Sequence, residues 1–170
     1  PVFNRIELTK RCIRSLKRQT IYGEISIFVI DDNSTDGTSE WLAAECPEIK
    51  VLSGTGSLFW GGAVRYGIEY LLKKGDIDDY ILLVNNDVEL SHNAIEVLRD
   101  HVVQNKRKVI TGALSVDQFD KLSIIKSGTV VKNWFLNITD HLFVGKTLQE
   151  VRNEKACQVD FLTARCLLHP

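Results

Sequence analysis

Apolar and polar positions change their period repeatedly along the chain, and these changes predict alternating helices and strands. Apolar residues at helical spacing predict four helices, at residues 7–19, 38–45, 62–74 and 91–104. Short apolar runs predict four strands, at residues 25–30, 49–52, 80–84 and 109–114. Parallel strands need crossover connections, so the alternation predicts an α/β fold with a mostly parallel sheet and helices on both faces.

Beyond residue 115 this alternation fades, and the pattern predicts a small antiparallel element in the C-terminal third. The segment SIIKSGTVVKNWFLN is typical of two antiparallel strands joined by a turn at Ser127 and Gly128, and residues 146–155 are polar enough for a loop or short helix. No internal repeat or linker interrupts the sequence. We therefore expect one domain over residues 1–170.

Composition narrows the class of protein without identifying it. The chain has 170 residues, 44% of them hydrophobic, and a formal net charge of -1, which is typical of a single globular domain and gives little reason to expect nucleic-acid binding. The basic residues in 10–18 are expected on the solvated face of the first helix, with a membrane surface as the less favoured alternative. The four cysteines lack zinc-site spacing, and no apolar run reaches the roughly 20 residues that span a bilayer. We expect a cytoplasmic location, with the inner face of the membrane as an alternative.

The first candidate site is VIDDNSTDGT at residues 29–38, where a buried strand ends in Asp31 and Asp32. Ligands of open α/β sheets bind beyond the carboxyl ends of the strands. Adjacent carboxylates repel each other and usually need a cation or a hydrogen-bond donor nearby. The structural alternative is a capped turn, with Thr35 or Thr38 as the N-cap of the next helix.

The second candidate is VNNDVEL at residues 84–90, which follows the next long apolar run. Asn85, Asn86 and Asp87 offer oxygen ligands, and Mg²⁺ or Mn²⁺ needs only one or two protein carboxylates when diphosphate supplies further oxygens. The structural alternative is a plain strand-to-helix turn with Ser91 as the helix cap.

Between these two motifs lies SGTGSLFWGGAVRYGI at residues 53–68, a glycine-rich segment entering a helix. Its glycines, Gly62 among them, would allow a phosphate to approach helix-start amides, and Arg65 would add a cation. The spacing matches neither a P-loop nor a dinucleotide fingerprint, so a flexible loop remains the alternative. Before the first helix, PVFNR could hold a planar base, or could simply be a turn.

Taken in order, PVFNR, VIDDNSTDGT, GSLFWGGAVRYGI and LLVNNDVEL resemble the successive motifs of the family 2 glycosyltransferases, and VDFLTARCLLHP extends a weaker resemblance to their rhamnosyltransferase-like branch. The resemblance implies a GT-A-like, Rossmann-type fold, with residues 1–115 as the nucleotide-sugar-binding half and residues 116–170 as the start of an incomplete acceptor half. It implies nucleotide contacts at Pro1, Val2, Phe3, Arg5, Asp31, Asp32, Gly62, Arg65, Asn85 and Asn86. Asp87 is the implied metal ligand, with Asp32 the stronger and Asp31 the structural member of the acidic pair.

Three positions depart from the family pattern as this resemblance presents it. Asn85 stands where many members have Asp, Arg65 where many have Asn, and Ala164 where a Gly is common. The loss of one anionic ligand at residue 85 predicts a lower metal affinity. The changes at residues 65 and 164 bear on the choice of substrate.

The implied activity is transfer of a sugar, with inversion, from a UDP- or dTDP-linked donor to the hydroxyl of a glycan or lipid-linked acceptor, assisted by Mn²⁺ or Mg²⁺, in polysaccharide or glycan synthesis. The chain opens inside a turn and contains no methionine, so we expect both ends to be incomplete. The resemblance places the catalytic base beyond Pro170 and not at Asp160. We accordingly expect the 170-residue chain to bind nucleotide weakly without transferring sugar.

Two other functions stay open at this point. A sugar nucleotidyltransferase also uses strand-end acids for metal binding, but it usually has a glycine-rich loop after the first strand, and PVFNR has no glycine. A nucleotide-binding or assembly module that has lost catalysis would be consistent with Asn85 and with the expected incomplete ends of the chain.

Overall fold

The computed structural model describes residues 1–74, 80–106, 108–117, 119–120, 122–163 and 165–169. The helices are α1 (Ile6–Lys17), α2 (Thr38–Glu45), α3 (Phe59–Lys74) and α4 (Ala94–Gln104), with a short 3-10 turn at Tyr22–Glu24. The strands are β1 (Phe28–Asp31), β2 (Lys50–Ser53), β3 (Ile81–Val84), β4 (Thr111–Gly112), β5 (Ser115–Val116), β6 (Ile124–Lys126), β7 (Thr129–Asn133), β8 (Ile138–His141) and β9 (Cys166–His169). The four predicted helices are present, each with ends within three residues of those predicted.

The helix starts are capped differently from the prediction. Neither threonine is the N-cap of α2, because that position is Gly37, in the left-handed region at φ 89°. Asp36 accepts hydrogen bonds from the Thr38 amide at 3.2 Å and from the Ile6 amide at 2.8 Å, so one carboxylate joins the starts of α1 and α2. Ser91 is not the cap of α4 either, because the helix begins at Ala94.

Parallel pairing is found at β1. This strand pairs with β2 in register from Phe28 opposite Lys50 to Asp31 opposite Ser53. Val2 forms a parallel bridge beside Asp31, with its amide donating to the Ile30 carbonyl at 2.7 Å. The opening residues of the chain therefore lie directly beside the end of β1.

The expectation of a mostly parallel sheet is not confirmed. In the described part of the chain, the second sheet has the order β3-β9-β4, and β9 runs antiparallel to both neighbours. β3 and β4 consequently point in the same direction, as the α4 crossover requires, but β9 occupies the position between them. β9, from the C-terminal end of the chain, therefore lies where the sequence pattern predicts direct parallel pairing of β3 with β4.

The antiparallel C-terminal element exists, but its pairing differs from the prediction. β6 pairs with β5, and β7 pairs with β8. The turn at Ser127 and Gly128 therefore joins two different hairpins. Residues 146–155 form turns, with no helix assigned among them.

Helices cover both faces of β1, as predicted, because neighbouring residues of a strand point to opposite faces. Val29 packs with Ile13 of α1 and Leu42 of α2 in one buried cluster. Ile30 packs with Ala63 of α3 in another. Among the described helices, none is both long and apolar enough to cross a bilayer.

Candidate functional site

The two carboxylates that end β1 have separate hydrogen-bond partners. Asp31 turns into its own loop, where Oδ1 accepts the Ser34 amide at 3.0 Å and hydroxyl at 2.5 Å, and Oδ2 accepts the Ser39 hydroxyl. Its exposed fraction is 2%. Asp31 therefore orders the loop after β1.

Asp32 holds the glycine-rich loop that precedes α3. Its Oδ1 accepts the Gly56 amide at 2.7 Å, and its Oδ2 accepts the Leu58 amide at 2.8 Å and the Phe59 amide at 3.2 Å. The carboxylate is buried, and a Cβ at Gly54 would lie 2.6 Å from Oδ1. Hydrogen-bond donors are therefore present for both acids of the pair, so their proximity needs no cation to explain it.

The start of α3 combines a strained backbone with two amides that donate to none of the residues that the structure describes. Phe59 has φ 53°, which is uncommon for a residue other than glycine, and its side chain is exposed. The amides of Leu58 and Phe59 donate to Asp32, whereas none of the described residues accepts from the amides of Trp60 and Gly61. Beside Gly61 an added Cβ would meet no atom within 4 Å. This helix start is therefore open to an anionic ligand.

The end of β3 contacts three other parts of the fold. The Asn85 side-chain oxygen accepts the Trp60 indole N–H at 2.8 Å, which links β3 to the start of α3. The Asn86 side-chain amide donates to the Thr9 hydroxyl on α1 at 3.1 Å. The third residue, Asp87, has a guanidinium nitrogen of Arg165 at 4.0 Å.

A divalent cation at this end would have Asp87 as its protein carboxylate. The side chain of Asp87 is 29% exposed, and its ion pair with Arg165 is long. The described residues contain no group of three or more His, Cys, Asp and Glu side chains able to hold a metal. Burial raises the pKa of nearby Cys12 to about 12, so that thiol stays protonated and is a poor ligand at neutral pH. These residues fit a cation that takes one carboxylate from the protein and further oxygens from a bound diphosphate.

The opening turn lies beside the end of β1, but its residues differ in exposure. Val2 is 7% exposed, packs in the core, and makes backbone hydrogen bonds to Ile30 and Asp32. Phe3 and Arg5 are exposed, and the Asn4 side chain accepts the Thr35 amide at 2.9 Å. The side chains of Phe3 and Arg5 are thus available to a ligand, whereas that of Val2 packs in the core and anchors the turn. Pro1 is half-buried.

Arg65 lies apart from the other candidates. Its side chain is 80% exposed and pairs with Glu69 on the same helix at 3.6 Å. Ala63 and Gly67, two residues to either side, are buried against the sheet, so Arg65 points to the solvent face of α3. Gly62 is half-buried in the first turn of α3, where an added Cβ would lie 3.3 Å from Leu58. Within the described part of the chain, Arg65 makes no hydrogen bond or ion pair with the other candidate site residues.

The structure adds two residues that the sequence did not indicate. Trp60 reaches Asn85, and Arg165 both approaches Asp87 and accepts the Asn85 amide through its backbone carbonyl at 3.0 Å. Asp160, expected on the acceptor side, accepts the Val131 amide at 2.7 Å. Ala164, one of the departures from the family pattern, lies outside the described residues.

Comparison with known proteins gives a family match over most of the chain. The model of the family described as Glycosyl transferase family 2 matches residues 1–154. An undecaprenyl-phosphate mannosyltransferase from Micrococcus luteus is 33% identical over 102 residues, which is 58% of this chain and 40% of that protein. An N-acetylglucosaminyl-diphospho-decaprenol L-rhamnosyltransferase from Mycobacterium tuberculosis is 29% identical over 99 residues, or 55% of this chain and 32% of that protein.

A third relative aligns with nearly the whole chain. It is the glycosyltransferase GlyG from Streptococcus pneumoniae serotype 4, which is 26% identical over 174 aligned positions, covering 99% of this chain and 52% of that protein. The chain thus spans about half, or less, of the length of these curated relatives.

Proposed function

Because the chain belongs to glycosyl transferase family 2, we propose that it binds a nucleotide-diphosphate sugar and serves its transfer, with inversion, to an acceptor hydroxyl. One observation carries this proposal. Asp32 at the end of β1 holds the start of α3, and Trp60 in that start bonds to Asn85 at the end of β3. The motifs that resemble the family's nucleotide site are therefore joined by direct contacts.

In this proposal residues 1–115 form the nucleotide-sugar-binding half, and residues 116–170 begin the acceptor half. Phe3 and Arg5 flank the nucleobase, since both are exposed beside the end of β1. Asp32 acts mainly by holding the loop before α3, and the free amides at Trp60 and Gly61 face the phosphates. Nucleotide contacts at Pro1, Val2, Asp31, Gly62, Arg65 and Asn86 remain predictions.

The chemistry follows from charge. A nucleoside diphosphate leaves with negative charge on its phosphate oxygens, and helix-start amides stabilise that charge by hydrogen bonding. A Mn²⁺ or Mg²⁺ ion bound at Asp87 would supply further neutralisation of the leaving group. Arg165, 4.0 Å from Asp87, adds a fixed positive charge on the same side.

The acceptor and the location are proposed from the relatives. The names of two of them specify undecaprenyl phosphate and a decaprenol-linked sugar, so we propose a lipid-linked or glycan acceptor reached at the inner face of a membrane. The proposed sugar donor is linked to UDP or dTDP, and the proposed role is in polysaccharide or glycan synthesis.

The test is titration of the chain with UDP, dTDP and GDP, and with UTP and dTTP, each with and without Mn²⁺, by calorimetry. Diphosphate binding that strengthens at least tenfold with Mn²⁺ supports the transferase. In Asp87→Asn that strengthening should be lost, because the remaining amide ligand carries no charge. Asp140→Asn removes the same charge from an exposed carboxylate of β8 that pairs with Lys132, and it should bind like the wild type.

The other outcomes identify other functions. Preference for the triphosphates would favour a sugar nucleotidyltransferase. Absence of nucleotide binding under every condition would favour a module without this activity and would overturn the proposal. Manganese dependence that persists in Asp87→Asn would keep the transferase but reject Asp87 as the metal ligand.

A further inference from the structure

The hydrogen bond between Trp60 and Asn85 determines which way the Asn85 side chain faces. An indole N–H can only donate, so the Asn85 group that meets it must be the carbonyl oxygen. The nitrogen-to-oxygen distance is 2.8 Å, which is a normal length for such a bond. The amide group is planar, with oxygen and nitrogen on opposite sides of the same carbon. The Asn85 nitrogen is therefore directed away from Trp60.

The backbone of Asn85 leaves little freedom to change this arrangement. Its amide donates to the Arg165 carbonyl at 3.0 Å, and its carbonyl accepts the Val88 amide at 3.2 Å. The side-chain nitrogen, by contrast, donates to none of the described residues. Asn85 thus holds two unused N–H donors next to Asp87, at the edge of the sheet where the proposed nucleotide binds.

We propose that Trp60 is a positioning residue that fixes the Asn85 amide with its N–H groups toward the nucleotide. This inference rests on the proposed function. In this arrangement Trp60 and not the cation contacts the Asn85 oxygen, and the Asn85 nitrogen donates a hydrogen bond to a phosphate or ribose oxygen. Asp87 is then the single side-chain ligand from this motif. The substitution at residue 85 exchanges a metal ligand for a direct contact with the nucleotide.

The decisive variant is Trp60→Phe, which keeps an aromatic ring and removes the N–H donor. The freed Asn85 amide can rotate, so UDP affinity at saturating Mn²⁺ should fall about tenfold, the usual cost of one lost hydrogen bond. Affinity for Mn²⁺ alone, measured by electron paramagnetic resonance, should not fall, because the Asn85 oxygen becomes free to turn toward the ion. A purely structural role for Trp60 would lower both affinities together.

Asn85→Asp tests the same hydrogen bond by changing the acceptor residue instead of the donor. One carboxylate oxygen would accept the Trp60 N–H, and the other would replace the amide nitrogen at the ligand. Affinity for Mn²⁺ alone should rise about tenfold, and UDP affinity without metal should fall because of charge repulsion. Tyr66→Phe is the matched control, since it removes a polar atom from a half-exposed aromatic residue of the same helix, and both affinities should stay unchanged.

A measurement without ligand separates this inference from the proposed function. The chain has three tryptophans, and the Trp60 indole signal in a ¹⁵N spectrum is the one missing in Trp60→Phe. Its proton should exchange with solvent more slowly in the wild type than in Asn85→Ala. Equal exchange rates, or UDP affinity within twofold of the wild type in Trp60→Phe, would overturn the positioning role. Slow exchange of the Trp60 indole proton in a protein that binds no nucleotide would instead overturn the proposed function. The hydrogen bond between Trp60 and Asn85 would still be supported.

Discussion

Asp32 holds the loop before α3 by accepting three backbone amides, and Asp32→Asn tests this role. The replacement has the same shape but one oxygen in place of two. Whichever way its amide turns, the new NH₂ group faces either the Gly56 amide or the amides of Leu58 and Phe59. At least one buried hydrogen bond therefore becomes a contact between two donors.

The magnitude follows from the number and type of these bonds. A hydrogen bond to a charged group contributes about 1.5–3 kcal/mol, and a neutral one about 1 kcal/mol. The less costly orientation keeps the bonds to Leu58 and Phe59 in weakened form and loses the bond to Gly56. Allowing for relaxation of the partly exposed loop, we expect the free energy of unfolding to fall by about 3 kcal/mol, a large part of the roughly 5–15 kcal/mol typical of a domain.

Urea unfolding followed by circular dichroism measures this loss as a lower midpoint at an unchanged slope. The matched control is Asp117→Asn, because Asp117 also accepts backbone amides, those of Phe119 and Asp120, but in an exposed turn. That control should lose less than about 1 kcal/mol. The free energy of unfolding of Asp32→Asn could instead lie within about 0.5 kcal/mol of the wild-type value in this assay. If that variant also no longer binds nucleotide, Asp32 is a nucleotide ligand and the loop-holding role is wrong.

Three further outcomes are expected from local geometry. Gly54→Ala should destabilise the fold by about 1–3 kcal/mol in the same urea assay, because its Cβ would lie 2.9 Å from the Asp32 Cα, which cannot move aside easily. Although desolvation alone would raise it, hydrogen bonds from the start of α2 hold the pKa of Asp36 below its usual value. Its stabilising contribution is therefore present above about pH 4 and is lost as the pH falls through the lowered pKa, so wild-type stability should drop more steeply below pH 4 than that of Asp36→Asn. Ellman's reagent at pH 8 should label one thiol quickly, the exposed Cys157, while Cys12, which is buried, reacts only after unfolding.

Local patterns in the sequence predicted the helices well and the strand pairing poorly. α2 begins and ends at the predicted residues, since its apolar spacing and the preceding turn residues depend only on nearby sequence. The position of β9 between β3 and β4 depends on a contact between residues more than 50 positions apart, for example Gly112 with Leu167. No local periodicity carries that information, so a parallel neighbour was the natural expectation.

In the site, too, the sequence predicts where the polar residues lie better than it predicts their hydrogen-bond partners. The sequence pattern indicates candidate sites beyond the carboxyl ends of two strands, and hydrogen bonds connect Asp32 to α3 and α3 to Asn85. The sequence could not show that backbone amides would occupy the Asp32 carboxylate, because backbone donors are the same at every residue except proline. Gly54 is the available signal, since a glycine beside an acidic residue leaves room for the carboxylate, whereas the glycine-rich pattern predicts room for a ligand.

The distribution of charge at the two strand ends predicts that the affinities for cation and nucleotide depend on each other. Asp31 and Asp32 are buried, and both oxygens of each carboxylate accept hydrogen bonds from N–H or O–H donors, so they are poorer ligands for a cation than an exposed carboxylate. Asp87 is the remaining carboxylate at the two strand ends, with Arg165 4.0 Å away as a competing positive charge. In the proposed function, one exposed carboxylate would bind a divalent ion weakly in water, and a bound diphosphate would supply the missing oxygens while also pairing with the arginine. Cation and nucleotide should thus strengthen each other's binding by the same factor, as linkage requires, and neither should bind tightly alone.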